Sequence, residues 1–336
     1  MRPLPDGAAR TLERAWAGWR PDRHSHGNLG RPFDFSFPVQ QHWGAKVAFY
    51  LYLGGTGAGF VFVELLLRWW GIIDARTAAI GMWIGLALAV LSALAIFDHL
   101  GPVSRWSAYF AFRRIRTSWI SRGVTMLVAL LVLRLVLAVP SLPGLDALPW
   151  TEGTALGDAL RALVLVVALA FMVYTGLVIS SWNAIAFWNT PLLPVLFTAF
   201  SLLGGLAALP AIAWLASGAL AMEAVGAAVW PAVLALLAAD AILLGLYVYG
   251  MSTATPPARA SVAMLVRGPL RPRFVTGVVT FGLLIPAAIG GLWMLGALAG
   301  GGLGGVALLG AIAAIEIGGY FLRDAVLRAG VYGPPV

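Results

Sequence analysis

The segment Ala45–Leu67, AKVAFYLYLGGTGAGFVFVELLL, decides the fold class of this chain, because its only charged residues are Lys46 and Glu64. An α-helix crosses the hydrocarbon core of a bilayer with about 20 apolar residues, so the segment predicts a transmembrane helix. The composition agrees with this interpretation. Of the 336 residues, 60% are hydrophobic and 11% are charged, which excludes a soluble globular enzyme.

Further apolar blocks follow at Ala78–Phe97, Trp119–Val139, Leu160–Ser181, Leu192–Gly250, Phe274–Leu298 and Leu303–Leu322. The block Leu192–Gly250 is long enough for two or three helices. With two, the chain has eight helices and 18 of its 22 lysines and arginines lie on the face of the termini; with three, only 12 do. Because these residues concentrate on the cytoplasmic side of membrane proteins, the sequence predicts an all-α integral membrane protein with eight transmembrane helices and cytoplasmic termini.

The composition also limits the redox groups that the protein itself binds. Cysteine is absent, which removes disulfides, cysteine-ligated metals, iron–sulfur clusters and covalently attached haem. The four histidines lie outside the middle of the apolar blocks, where the axial ligands of a membrane haem would stand. We therefore expect no haem, metal or cluster bound by this chain. The net charge of +8 reflects orientation in the lipid bilayer, and no nucleic acid partner is expected.

Three regions are expected along the chain. Residues 1–42 form a cytoplasmic N-terminal tail without the continuous apolar region of a signal peptide. This tail is either an anchor at the level of the lipid headgroups or an arm that docks a partner subunit. Residues 43–331 form the membrane domain, and residues 332–336 form a C-terminal tail. Within the first block, the glycines from Gly54 to Gly59 are expected to allow close contact between helices.

Three carboxylates, Glu64, Asp240 and Glu316, lie inside apolar blocks. Such groups are costly in a membrane and are often functional. They are either hydrogen-bonded pairs that hold helices together or parts of a proton path. Glu64 lies one turn from Arg68, which predicts an ion pair between residues i and i+4 of the same helix.

A candidate acid–base site lies where the second block ends, at Asp98 and His99, because Gly101 and Pro102 stop a helix there. A carboxylate beside an imidazole at the membrane boundary suits proton exchange with a lipid-soluble ring; the alternative is a helix end that is satisfied by its own polar groups. Two more features point to the same face of the membrane. Lys46 and Tyr50 stand one turn apart in the first block, and residues 181–191 form an uncharged connection that contains Asn183 and Asn189. We expect this connection to be covered, either by a partner or by folding back over a pocket.

Five segments resemble, in order along the chain, sequence motifs of the NrfD/polysulfide-reductase membrane subunits. The resemblance extends from Trp43 to Val331, and His99 departs from the family pattern because it is inserted before Leu100. The segments are Tyr50–Gly59 (YLYLGGTGAG), Asp98–Arg105 (DHLGPVSR), Arg116–Gly123 (RTSWISRG), Phe187–Phe197 (FWNTPLLPVLF) and Gly318–Arg323 (GGYFLR).

The resemblance implies a membrane-anchor subunit of an oxidoreductase in the bacterial cytoplasmic (inner) membrane, with its eight helices in two four-helix bundles. Subunits of this family bind ubiquinone or menaquinone, or the corresponding quinol, near the surface that faces a four-cluster ferredoxin-like iron–sulfur subunit. That partner exchanges electrons with a catalytic subunit that holds a molybdenum or tungsten pterin, such as a formate dehydrogenase or a sulfur-compound reductase. In many relatives this partner lies outside the cytoplasmic membrane, whereas the charge distribution here favours a cytoplasmic partner.

The resemblance also suggests roles for individual residues. Asp98 is expected to exchange the proton of the quinol hydroxyl, with His99 added because it is adjacent. The other expected quinone-site residues are Arg105, which orients Asp98 or the docking loop, Lys46 and Tyr50 from the first helix, and Asn183 and Asn189 from the uncharged connection.

Two rival functions remain open at this point. An ion or proton transporter would use Glu64, Asp240 and Glu316 to carry ions between the bundles. A purely structural anchor would have no quinone site.

Overall fold

The computed structural model describes residues 38–100, 113–298 and 302–333, without the side chains of residues 97–100. Nine helices lie in these described ranges, and eight of them are long and apolar enough to cross a membrane. The helices are α1 (Ala45–Trp69), α2 (Ala75–Leu100), α3 (Trp119–Ala138, followed by a 3₁₀ turn at Val139–Ser141), α4 (Ala155–Ser180), α5 (Leu192–Ser217), α6 (Ala219–Thr253), α7 (Pro256–Val266), α8 (Pro272–Met294) and α9 (Gly302–Arg328).

The long apolar stretch is divided into two helices, α5 and α6, by a turn at Gly218. This glycine has a φ of 83°, in the left-handed region that disfavours other residues. Its N–H donates a 2.9 Å hydrogen bond to the carbonyl of Trp214, which closes the last turn of α5. The prediction of eight transmembrane helices is confirmed, and the division of the stretch into two is the one that the distribution of positive charge favours.

The sequence does not predict two features of the fold. The short helix α7 lies between α6 and α8 and begins with two prolines, which the first turn of a helix tolerates. The first part of α8, Pro272–Leu284, is a π-helix, and α-helical geometry begins at Ile285. In this wider segment Gly282 lies against Gly318 of α9, so closely that a Cβ atom on Gly318 would come within 2.1 Å of the Gly282 Cα.

Helix α1 is the central helix of the fold and contacts α2, α4, α5 and α9. Its glycines allow the close contacts that the sequence predicts. A Cβ atom at Gly59 would lie 2.1 Å from the carbonyl oxygen of Ser201, and one at Gly205 would lie 2.3 Å from the amide nitrogen of Phe60. The backbones of α1 and α5 are therefore in direct contact. Because this contact joins the first four helices to the last four, the division into two four-helix bundles stays a prediction.

The two ends of the described residues meet on one face of the molecule. Val39 and Val331 form an isolated antiparallel bridge. Next to it, the N–H of Gln40 donates to the carbonyl of Gly330 at 2.9 Å, and the Gln40 side chain donates to the carbonyl of Leu327 at 2.7 Å. The start of α1 and the end of α9 therefore share a face, which we call the terminal face. Which side of the membrane this face occupies stays a prediction.

Several predicted features lie outside the described residues. They include residues 1–37 of the N-terminal tail, Arg105, the side chains of Asp98 and His99, and residues 334–336 of the C-terminal tail.

Candidate functional site near the terminal face

A small cavity lies beside Tyr50, near the terminal face and between α1, α2, α3 and α4. Its volume is about 10 Å³, which is space for about one water molecule. Two phenol rings, Tyr50 and Tyr174, and the side chains of Ser92 and Thr175 line it together with apolar groups. The wall itself is apolar, and the Ser92 and Thr175 hydroxyls donate to the carbonyls of Tyr50 and Met172.

The local sequence explains how Tyr174 reaches this cavity. Gly123, in the first turn of α3, has no side chain, and a Cβ atom there would lie 2.1 Å from the Tyr174 hydroxyl oxygen. Phe171 stacks on Tyr174 with 5.8 Å between the ring centres. The glycine therefore makes room for the phenol, and the stacked ring fixes its plane. Sequence reasoning missed Tyr174, although Gly123 ends one of the segments that resemble the family.

The second helix brings Asp98 and His99 toward the same end of the molecule. The Ser92 hydroxyl donates a 3.2 Å hydrogen bond to the carbonyl of Tyr50, and Ile96, which also lines the cavity, lies two residues before Asp98. α2 ends at Leu100, as the following Gly-Pro pair predicts. The backbone of α2 therefore places Asp98 and His99 within one turn of the cavity wall.

Lys46, Asn183 and Asn189 do not line the cavity beside Tyr50. Lys46 lies one turn closer to the terminal face and is exposed. The side-chain amide of Asn189 donates a 2.8 Å hydrogen bond to Asn183, and both residues are exposed. The two asparagines thus form a pair within their own loop.

The uncharged connection at residues 181–191 is covered by this protein itself in part: Ile185, Phe187 and Trp188 are buried, whereas Asn183 and Asn189 are exposed. The Trp188 indole N–H donates a 2.9 Å hydrogen bond to the carbonyl of Val326 in α9, and the Tyr247 hydroxyl donates at 2.6 Å to the carbonyl of Phe187. Trp43, just before α1, packs against both Trp182 and Trp188. Burial of these aromatic side chains against α1, α6 and α9 accounts for a connection without charge.

Glu64 pairs with Arg134 of α3, so the predicted ion pair with Arg68 is wrong. The Glu64 and Arg134 side chains are both fully buried, and Arg134 also donates to the carbonyls of Gly81 and Met82 in α2. Arg68 instead reaches Glu152 at 2.9 Å, in the connection before α4. Arg68 does not pair with Glu64, because Glu64 faces the interior, where only a buried cation can neutralise it.

Glu316 and Asp240 lie in the second half of the molecule near Arg323. The Tyr52 hydroxyl donates a 2.7 Å hydrogen bond to Glu316 Oε2, which joins α1 to α9. Arg323 is fully buried and donates to Ser201 Oγ of α5 at 2.8 Å. Among the described residues Arg323 forms no ion pair with Glu316 or Asp240, and neither Asp240 oxygen accepts a hydrogen bond from any described residue.

Arg134 and Arg323 are the residues that sequence reasoning overlooked in the interior. Each is an arginine within an apolar block, which is the same signal that singled out the carboxylates. Glu64 lies with Arg134, whereas Asp240 and Glu316 lie with Arg323. Among the described residues, no group of three or more histidines, aspartates and glutamates is placed to hold a metal ion.

Comparison with known proteins identifies the family. Residues 37–331 match the family described as "Polysulphide reductase, NrfD". The chain belongs to this family. It is 30% identical to the protein NrfD of Escherichia coli over 175 residues, which is 46% of this chain and 54% of that protein. It is 28% identical to the polysulfide reductase C subunit of Wolinella succinogenes over 188 residues, 50% of this chain and 56% of the relative. The matches thus span about half the length of each curated relative. As a family member with eight apolar helices, the protein is a multi-pass membrane protein, and its family suggests a membrane anchor of a redox complex.

Proposed function

We propose that this chain is the quinone-reactive membrane anchor of a multi-subunit oxidoreductase, with its site at the cavity beside Tyr50. The observation that carries the proposal is that two tyrosines, Tyr50 and Tyr174, line one cavity near the end of α2 that leads to Asp98. Phenol groups near a membrane surface suit a ring with two carbonyl oxygens. Membership of the NrfD family supports the same assignment.

The present cavity of about 10 Å³ is too small for such a ring. Binding therefore requires that a tyrosine side chain move, or that the body of the ring lie against the end of α2. A quinone, when bound, supplies the two-electron and two-proton chemistry that this chain's own residues lack. The Tyr174 phenol donates a hydrogen bond to one of its oxygens, the Tyr50 ring lies beside it, and Asp98 holds or releases the proton, with His99 beside it.

Electron transfer at this site needs a second subunit. The chain has no cysteine, so a four-cluster ferredoxin-like iron–sulfur subunit would receive the electrons or supply them. A catalytic subunit with a molybdenum or tungsten pterin would complete the complex. The name of one relative, which is the C subunit of polysulfide reductase, supports an assembly of several chains. We place the partner on the terminal face, where Arg105, Asn183, Asn189 and Lys46 would contact it or the quinone.

The proposed location is the bacterial cytoplasmic membrane with the terminal face in the cytoplasm. The exposed arginines Arg113, Arg114, Arg259, Arg267 and Arg271 lie in the connections on this face. Their number supports the orientation, because positive residues in short loops stay on the cytoplasmic side.

Proton movement is a second candidate function, favoured by Asp240. A fully buried carboxylate without a hydrogen bond is costly unless it binds a proton or a cation. Asp240 and Glu316 would belong to one path. Glu64 would join it only if its ion pair with Arg134 opened. Such a path would work either as a transporter by itself or together with quinone chemistry.

Purification of the tagged protein from its native membrane tests the proposed complex. We expect an iron–sulfur protein to copurify, and quinol addition to change the absorption or paramagnetic resonance spectrum of its clusters. A protein that purifies alone, with intact helices and no iron in the preparation, would contradict the proposed anchor function and favour the transporter.

A further inference from the structure

A second cavity, much larger than the one beside Tyr50, lies on another side of α1. Its volume is about 220 Å³. It is lined by Tyr52, Leu53, Thr56, Gly57 and Phe60 of α1, Ile84 and Leu88 of α2, Ala208 and Ile212 of α5, and Glu316 of α9. It therefore lies where helices of the first half of the chain meet helices of the second half.

The polar groups of this cavity are concentrated at one corner. The Tyr52 hydroxyl donates to Glu316 Oε2 at 2.7 Å, and no hydrogen bond to Oε1 is formed within the described residues. Thr56 is the remaining polar residue of the lining, and every other lining group is apolar. A cavity with this composition holds at most a few water molecules at its polar corner, since apolar cavities stay dry.

The cavity is only partly enclosed, and three of its lining residues on α2 and α5 are half-buried. Ile84, Leu88 and Ala208, which line it, all keep part of their surface exposed. Both helices are transmembrane, so an opening between them faces the hydrocarbon of the bilayer. A ligand would therefore come from the lipid and not from the aqueous phase.

We propose that this cavity is a second binding site for a lipid-soluble ring that carries a hydroxyl or carbonyl group, of the quinone or quinol class. The ligand places its ring between Phe60 and Leu88 and its polar group at Glu316 and Tyr52. An apolar enclosure with one convergent polar pair is the composition of sites for such ligands. The choice of ligand rests on the proposed quinone function; the cavity itself does not depend on it.

Photolabelling of the intact complex in lipid nanodiscs tests the proposal. The probe is a short-chain benzoquinone that carries an azide, and the labelled peptides are identified by mass spectrometry. Labelling of α5 around Ala208 reports this cavity, whereas labelling of α4 around Tyr174 reports the site beside Tyr50. Label on α4 and label on α5 therefore distinguish the two sites. Label on α1 would not, because α1 borders both cavities.

The variant Ala208→Phe fills the cavity, and Ala235→Phe on the exposed surface of α6 is the matched control. We expect label on α5 in the unaltered complex, a loss of at least about tenfold in Ala208→Phe and no loss in the control. If Ala208→Phe does not assemble, Ala208→Leu takes its place.

The outcomes separate the two proposals. Label on α4 alone, or label on α5 that Ala208→Phe leaves unchanged, would overturn the second site and leave the proposed function standing. Label on α5 alone would support the second site and contradict the quinone site beside Tyr50. Label on neither helix would overturn both.

Discussion

Glu64 of α1 and Arg134 of α3 form an ion pair in the interior of the protein, and both side chains are buried. Arg134 also donates to two carbonyls of α2, so the pair ties three helices together. Glu64 Oε1 and Arg134 Nη1 have no hydrogen-bond partner among the described residues. Removal of either residue would therefore leave the charge of the other buried without a partner.

Removing one member of this pair is expected to destabilise the protein by about 3–5 kcal/mol, because the other charge stays buried without a partner. Thermal unfolding in detergent of Glu64→Gln and Arg134→Met measures the effect. The double variant Glu64→Leu/Arg134→Met should unfold at a higher temperature than either single variant. The control is Glu152→Gln, which breaks the partly exposed pairs of Glu152 with Arg68 and Arg161 and should cost about 1 kcal/mol, less than the loss of the buried pair. Equal effects of the buried and exposed changes would contradict this prediction.

Asp74 is expected to give α2 a stability that depends on pH. Its carboxylate accepts a 2.9 Å hydrogen bond from the N–H of Thr77 at the start of α2, and the Thr77 side chain, together with this N–H, lowers the pKa of Asp74. Since the folded state favours the charged form, the stabilisation is present above the ordinary pKa of 3.8 and is lost as the pH falls through the lower folded value.

Two substitutions of Asp74 distinguish the contribution of the helix cap from that of the negative charge. Asp74→Ala should cost about 1 kcal/mol at neutral pH, whereas Asp74→Asn keeps a capping group and should cost only a few tenths. The free energy of unfolding is then measured for each protein from neutral pH downward. The advantage of the unaltered protein over both variants should shrink in acid, because only the aspartate changes its charge there. A stability gap between Asp74→Ala and the unaltered protein that stays constant into acid would rule out a role for the charge.

Gly123 is expected to control both the cavity beside Tyr50 and the packing of α3 on α4. In Gly123→Ala the new methyl group would overlap the buried ring of Tyr174, so the whole ring would have to move. Loss of one hydrogen bond to the ligand predicts a KM for quinone that rises about three- to tenfold, and displacement of the buried ring is expected to destabilise the protein by about 1–3 kcal/mol. Gly245→Ala on α6, where nothing lies within 4 Å of the new atom, is the control. An unchanged KM would remove Tyr174 from the proposed site.

The main features of the fold follow from the sequence, because they depend on properties of single segments. Helix length and apolar composition predict the eight transmembrane helices, and the positive charge of short loops decides how the stretch from α5 to α6 is divided. The π-helix in α8 is different. It depends on contact with α9, where Gly282 and Gly318 meet, and nothing in the segment itself predicts that contact.

The candidate site is predictable only in part, for the same reason. Tyr50 is expected because it lies on the first helix near the membrane surface, but its partner Tyr174 is recognised only after α3 and α4 are packed at Gly123. Likewise, an i, i+4 rule suggests Arg68 as the partner of Glu64, whereas the observed partner stands on another helix. Pairing across helices depends on which faces turn inward, and the sequence of one helix does not determine this.

Asp240 and Glu316 are expected to affect proton release and not electron transfer, if they belong to a proton path. Sealed vesicles that contain the complex allow protons released per electron to be measured for Asp240→Asn and Glu316→Gln. Glu223→Gln, an exposed carboxylate on the same helix as Asp240, is the control. A lower ratio in both interior variants with the control unchanged would support the path. If the ratio does not change in either variant, these carboxylates have a structural role.

The most direct test of the quinone site is turnover of the assembled complex with Asp98→Asn. Two rates are compared: electron transfer to or from quinone, and electron transfer between substrate and an artificial dye, which bypasses the membrane subunit. The variant Asp146→Asn, in an exposed loop on the opposite face, is the control. We predict that Asp98→Asn lowers the quinone-linked rate by about 100-fold or more and leaves the dye-linked rate unchanged. An undiminished quinone-linked rate in an assembled Asp98→Asn complex would contradict the assignment of proton exchange to this end of α2.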